Sequence, residues 1–168
     1  PVDIIVTPIV SIAAGAVVAY VVGPYIAIFT EWLGNLININ VDKHPFIGGI
    51  VISVSMGMFL TLPISSAAIG IMLGLSGLAS GAATIGCCCQ MVGFAVMSFK
   101  ENKVGGLISQ GIGTSMLQMP NIIRHPQIWI PPILSSAILA PVSTMVFKMV
   151  SNPVGSGMGT SGLVGQFS

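Results

Sequence analysis

Apolar residues run along this chain in long stretches without helical or strand periodicity, and the polar residues that break them fall in a few short groups. The first stretch, Ile4 to Thr30, is bracketed by Asp3 and Glu31 and is apolar on every side, as a helix surrounded by lipid and other helices would be. Its aromatics Tyr20, Tyr25, Phe29 and Trp32 gather toward one end, where amphipathic rings favour headgroup depth. Leu33 to His44 carries Asn35, Asn38, Asn40, Asp42 and Lys43, which predicts an interfacial or water-facing connection. From Pro45 to Phe99 no charged residue occurs. As one helix that run would be about 80 Å long at ~1.5 Å per residue, far more than a single crossing requires. It therefore has to fold back on itself.

The breaks are legible as prolines and glycines. Phe46 to Leu62 predicts a short second crossing ended by Pro63, whose ring removes a helix hydrogen bond and crowds the preceding turn. Ser65 and Ser66 are placed to cap a new helix over Ala67 to Leu75, too short to cross, so a re-entrant hairpin is expected here. A full crossing follows from Leu78 to Phe99. Gly70 with Gly74, and Gly77 with Gly81, have the spacing that lets helices approach closely, and are the candidate helix-packing residues. Lys100 to Lys103 predicts a solvated turn. Val104 to Met119, rich in glycine and stopped by Pro120, predicts a second hairpin. Gln127 to Val150 is the last expected crossing, kinked at Pro131, Pro132 and Pro141. The expected fold class is all-α: a polytopic transmembrane helical bundle with broken helices and re-entrant hairpins, residues 1–168 forming a single transmembrane domain. The opening at Pro1 and the glycine-rich end add the expectation that this is a piece of a larger membrane protein.

Composition strengthens the membrane reading, since charged residues are 5% of the chain and mean hydropathy is +0.99. A net charge of +1 offers no phosphate-tracking surface, so no nucleic-acid partner is expected. Cys87, Cys88 and Cys89 are adjacent, and helix neighbours point about 100° apart, so no metal site is expected of them. The spacing Gly157-x-Gly159-x-x-Gly162 has no strand before it and predicts a loop, not a nucleotide cradle. The four carboxylates, Asp3, Glu31, Asp42 and Glu101, stand at segment ends, and no catalytic constellation and no cofactor are expected.

What remains inside the apolar segments is neutral and hydrogen-bonding. Ser65, Ser66, Gln90, Gln118 and Asn121, grouped about the two proline breaks, are the candidate substrate-binding residues, of the kind that meets a neutral polyol. The blocks TLPISSAAIGIMLGLSGLASGAATIGCCCQMVGFAV, GIGTSMLQMPNII, IWIPPILSSAILAPVSTMVFKM and GMGTSGLVGQ together resemble the PfoR-type, or phosphotransferase-system enzyme IIC-like, bacterial membrane proteins. The resemblance implies that this is the C-terminal part of a longer polytopic protein of the bacterial inner membrane, with a sugar-permease-like fold and re-entrant hairpins. In well-understood enzyme IIC permeases a glutamate and a histidine lie beside the bound sugar. The expected function is a permease for a sugar or small polar metabolite, held between two re-entrant hairpins. The alternative is a membrane-embedded sensor or regulator that binds a ligand or partner without moving it. Expected partners are the lipid bilayer, a small carbohydrate, separate phosphotransferase-system proteins and further copies of the chain in a homo-oligomer. The expected topology puts Glu31, Asp42, Lys43, Lys100, Glu101, Lys103 and Arg124 on one side, with Asp3 and Lys148 opposite, and the first side cytoplasmic.

Overall fold

The computed structural model describes residues 3–168, and these are helical or in turns, with one isolated antiparallel bridge between Gly77 and Ser151. The helices are α1 (Asp3–Lys43), α2 (Pro45–Thr61), α3 (Ser66–Met72), α4 (Gly77–Met97), α5 (Phe99–Ile108), α6 (Met119–Arg124), α7 (Ile130–Pro141) and α8 (Val164–Phe167). Short 3-10 and π turns join several of them. Two helical segments, Gly77–Met97 and Pro126–Val146, are long and apolar enough to cross a membrane. A third candidate is the pair Ile9–Val17 and Ala19–Lys43, bent by 47°. This is an all-α membrane protein built from broken helices.

The bundle is organised on α4, which packs against α2 and α7. Small residues make the α2 crossing close: a Cβ on Gly86 would collide with the Ser53 carbonyl, and one on Gly57 with the Gly86 carbonyl and the Gln90 side chain. With little hydrophobic drive between helices in lipid, such backbone approach supplies the dispersion contacts that hold them together. Ile52, Met56, Leu60, Ala79, Ala83, Cys87 and Met91 form the buried core of this pair with Leu75. Antiparallel to both runs α7, where Ser53 Oγ donates to the Ser136 carbonyl at 3.2 Å and Thr144 Oγ1 to the Pro45 carbonyl at 2.9 Å.

Contacts along α2 and α4 rise together, Ser53 lying on Gly86, Met56 on Cys87 and Thr61 on Gln90, so these two helices point the same way. Residues 62–76 must therefore descend the length of the pair. This corrects the dip-and-return expected at Pro63: α3 is the middle of a broken third pass. Ser65 Oγ accepts from the Ala68 N–H at 3.3 Å and caps it. The extra pass also separates Lys43 from Lys100, Lys103 and Arg124. Lys43 and Lys148 lie at one end of the bundle, and Lys100, Lys103 and Arg124 lie at the other.

One further segment does leave and rejoin the bundle at one end. Residues 99–125 start beyond the end of α4, dip until Ser115 touches Thr61, and return through α6 to the start of α7. Their break lies at Thr114, extended at φ −159° and ψ 142°, earlier than the expected Pro120. Pro120 instead falls in the first turn of α6, where its missing N–H costs nothing. The expected turn at Lys100 to Lys103 is helical up to a kink at Lys103, φ 51°. The glycine-rich C-terminal segment climbs from Met149 beside Gly81 to Thr160 beside Met91, then folds back so that Gln166 meets Cys88. It is a packed element: Gly159, at φ +54°, is pressed on the backbone of Cys87 and Cys88.

Leu33 to His44, expected as a connection, continues α1 as helix. The asparagines do not break it because they act as ties. Asn38 Nδ2 donates to the Gly74 carbonyl at 3.0 Å, Asn38 Oδ1 accepts from the Ser76 N–H at 3.3 Å, and Asn40 Nδ2 bonds back to the Leu36 carbonyl at 2.6 Å. The helix ends at Lys43 because Pro45 restricts the residue before it, leaving His44 at φ −130° and ψ 68°.

Candidate functional site

Three pieces of chain meet where the dip of residues 99–125 reaches the bundle. Phe94, Met97 and Ser98 project from the last turns of α4, Glu101 and Asn102 from the first turn of α5, and Gln118, Asn121, His125 and Gln127 from the returning limb and the entry to α7. Together with Ile128 they line a cavity of about 460 Å³. A second hollow of about 350 Å³ shares Asn102, Gln118 and Asn121 and adds Ser109 and Gln110. A separate cavity of about 570 Å³ between α1 and α2 is walled mostly by aliphatic side chains such as Leu33, Ile37 and Val51, with Asn40, His44 and Ser55 as its polar members.

Hydrogen bonding orients several of these amides. Asn121 Nδ2 donates to Gln118 Oε1 at 2.9 Å, which turns the Gln118 amide nitrogen to the other side. Ser98 Oγ donates to the Ala95 carbonyl and accepts from Gln110 Nε2 at 2.9 Å, so the buried Gln110 Oε1 is left as an acceptor with no partner. Beneath the cavity, one turn further down α4, Gln90 is fully buried. Trp129 Nε1 lies 3.1 Å from Gln90 Oε1. An indole nitrogen only donates, so that atom must be the oxygen, and Gln90 Nε2 is a donor with no partner among the described residues. Thr61 Oγ1 completes the node, 3.4 Å from Gln90 Oε1 and 3.0 Å from Ser115 Oγ. Leaving a buried amide group unpaired costs about 1–3 kcal/mol, an expense that a site meeting a polar ligand recovers on binding. One orphaned donor and one orphaned acceptor suit a ligand bearing hydroxyls, each of which donates and accepts.

The candidate residues separate accordingly. Gln118 and Asn121 line the cavity, and Gln90 lies just below it. Ser65 caps α3, and Ser66 Oγ donates to the Gly157 carbonyl at 2.6 Å, so this pair holds the broken pass and the C-terminal segment together. Of the four glycines, Gly70 is pressed on Pro153 and Ser156 and Gly81 on Met149, all from the C-terminal segment. Gly74 and Gly77, both at φ +56° with open space about their Cα atoms, make the turn into α4. Sequence reasoning missed Glu101 and Asn102, at the start of the dip, and His125 and Gln127, at its end, as cavity residues because only the dip brings the two places together. It also missed Trp129, whose ring reaches from the entry of α7 to Gln90. Among the described residues no group of three His, Cys, Asp or Glu side chains is placed to hold a metal ion.

No curated protein and no solved structure matches the chain. A family model described as "Phosphotransferase system, EIIC" matches residues 1–168. Membrane-crossing helices, a broken bundle and a polar cavity at one end agree with that match, and the chain belongs to the EIIC family, the membrane transport components of the phosphotransferase system.

Proposed function

We propose that this chain is the ligand-binding membrane part of a multi-pass permease of the bacterial inner membrane, and that it takes a sugar or a similarly hydroxylated small metabolite in the cavity between α4 and the dip of residues 99–125. The observation that carries this reading is the convergence of Glu101, Asn102, Gln118, Asn121 and His125 on one cavity. Within it a carboxylate and an imidazole stand among neutral amides. The carboxylate accepts from sugar hydroxyls, while the amides of Gln118 and Asn121 read the remaining hydroxyls. Movement of the dipping segment against the α2, α4 and α7 core would expose the cavity alternately, as in other broken-helix transporters.

The bundle end with Lys100, Lys103 and Arg124 carries more basic residues than the end with Lys43 and Lys148, and is the cytoplasmic end on the positive-inside rule. Phosphoryl-carrying partners on separate chains, and further copies of this chain in a homo-oligomer, complete the transporter on this reading. Single cysteines at Lys43 and Lys148 are expected to react with an impermeant maleimide from the outer face, and one at Lys103 only after the inner face is opened. Lys43 labelling with Lys103 would overturn the arrangement.

Binding tests the site. A panel of labelled neutral hexoses and hexitols, titrated against the full-length protein, is expected to contain a saturable ligand. Gln118→Ala removes one neutral hydrogen bond of about 1 kcal/mol and should weaken that ligand several-fold. Ser65→Ala removes a helix cap, also worth about 1 kcal/mol, and should lower the melting temperature while leaving affinity intact. Equal affinity in Gln118→Ala and wild type, or no saturable ligand in the panel, counts against this site.

A further inference from the structure

Phe94 is almost completely buried and forms part of the cavity wall, yet it also stands directly above Gln90 on the same face of α4. Residues four apart on a helix stack one over the other, so the order down this face is Ser98 and Met97 at the cavity, then Phe94, then Gln90. Below Phe94 lies a node of Thr61, Gln90 and Ser115, all buried, with the half-buried Trp129 on its α7 side. That node holds a fully buried amide N–H with no partner, its orientation fixed by the indole donor on the other side of the amide.

We propose that the node is a second, inner position for the ligand, and that the Phe94 ring is the partition between it and the outer cavity. The inference rests on the reading of the cavity as a solute site and extends it inward. A hydroxyl or carbonyl oxygen of the ligand would accept from Gln90 Nε2, and a ligand hydroxyl would replace one partner in the Thr61–Ser115 contact. That contact joins α2 to the bottom of the dipping segment, and the Trp129–Gln90 bond joins α7 to α4. A solute entering the node therefore competes with the bonds that hold the dip against the core. This gives the ligand a physical means of favouring one arrangement over the other, since it binds better where those bonds are open.

The experiment uses the full-length protein in nanodiscs with Cys87, Cys88 and Cys89 replaced by alanine, and the small thiol reagent 2-aminoethyl methanethiosulfonate as probe. Ser98→Cys reports the outer cavity and Ser115→Cys the inner node, each in the Phe94 and Phe94→Ala backgrounds. Ser98→Cys should react rapidly in both. Ser115→Cys should react slowly beside Phe94 and several-fold faster beside Phe94→Ala, with Phe94→Leu between them. Ala83→Cys, buried in the core of α4 and on the wall of neither cavity, should stay unreactive throughout.

If Ser98→Cys is inert, the cavity does not admit solute and both readings fail. If Ser98→Cys reacts while Ser115→Cys is equally slow in all three backgrounds, the cavity stands and the inner position is overturned. Acceleration of Ala83→Cys alongside Ser115→Cys marks general loosening of the bundle and also overturns it. Gln90→Met gives an independent reading: it keeps the volume and a weak acceptor for Trp129 but has no N–H. Retained folding with weakened binding of the ligand found in the hexose and hexitol panel supports the inner position. Unchanged affinity overturns it.

Discussion

Gly86→Val leaves no folded protein to purify. A side chain at Gly86 would occupy the place of the Ser53 carbonyl, a backbone atom in the middle of α2 that cannot rotate away. The only relief is to part α2 from α4. These are the two helices whose facing residues make most of the buried core, and α7 is bonded to α2 at Ser53 and Thr144 on the same side. Overpacking a well-filled interior costs about 1–3 kcal/mol when side chains can give, and more when the obstruction is backbone. Native stability is only about 5–15 kcal/mol, so a loss at the upper end of that range or beyond it removes much of the margin. Gly15→Val, with nothing within 4 Å of the added Cβ, is the control and should purify as wild type. Size-exclusion profiles of the two variants in mild detergent decide the matter. A monodisperse Gly86→Val with wild-type melting temperature would mean that the α2–α4 approach is looser than the backbone geometry here requires.

That crossing shows why the sequence revealed the helices more readily than their arrangement. The boundaries of α2, α3 and α4 follow from local chemistry: Pro63 ends one helix, Ser65 caps the next, and Gly74 and Gly77 supply the left-handed turn before the third. The glycines that matter for packing do not announce themselves locally. Gly57 and Gly86 are 29 positions apart and become a pair only once two helices are laid side by side and in the same sense. Whether residues 62–76 dip or descend depends on the same choice, because a half-length helix of seven residues serves either path. The C-terminal glycine-rich segment was similarly ambiguous. Its role as a packed strap depends on partners as distant as Ser66 and Cys87.

Part of the candidate site was legible in the sequence. Gln90, Gln118 and Asn121 are polar residues inside apolar stretches, and their expense marks them. Ser65 and Ser66 carry the same mark, yet their hydroxyls are satisfied by a helix end and by the Gly157 carbonyl, so polarity in an apolar run identifies groups that need a partner without saying which partner they have. Glu101 and His125 were read as boundary residues, which they are. Position at a segment end becomes position in a cavity only because the chain between them goes down to Thr61 and returns.

Glu101→Gln is accordingly expected to weaken ligand binding by roughly 10- to 100-fold, the equivalent of losing a charge-assisted hydrogen bond worth about 1.5–3 kcal/mol. The substitution preserves shape and one acceptor oxygen. What it removes is the charge, and with it the ability of both oxygens to accept from neighbouring hydroxyls of one ring. Glu101 is exposed and its side chain bonds to none of the described residues, so its contribution to stability should lie within the usual ±0.5 kcal/mol of a surface change. A merely solvated helix-end carboxylate would leave both affinity and melting temperature unchanged, whereas a ligand contact lowers affinity alone. His125→Ala should lower affinity in the same way, and the double variant should lose less than the sum of the two if both groups grip one ligand, because contacts to a shared partner are not additive. Isothermal titration of the ligand identified from the hexose and hexitol panel separates these outcomes. Wild-type affinity in Glu101→Gln would remove the carboxylate from the site and leave Gln118 and Asn121 as its polar contacts.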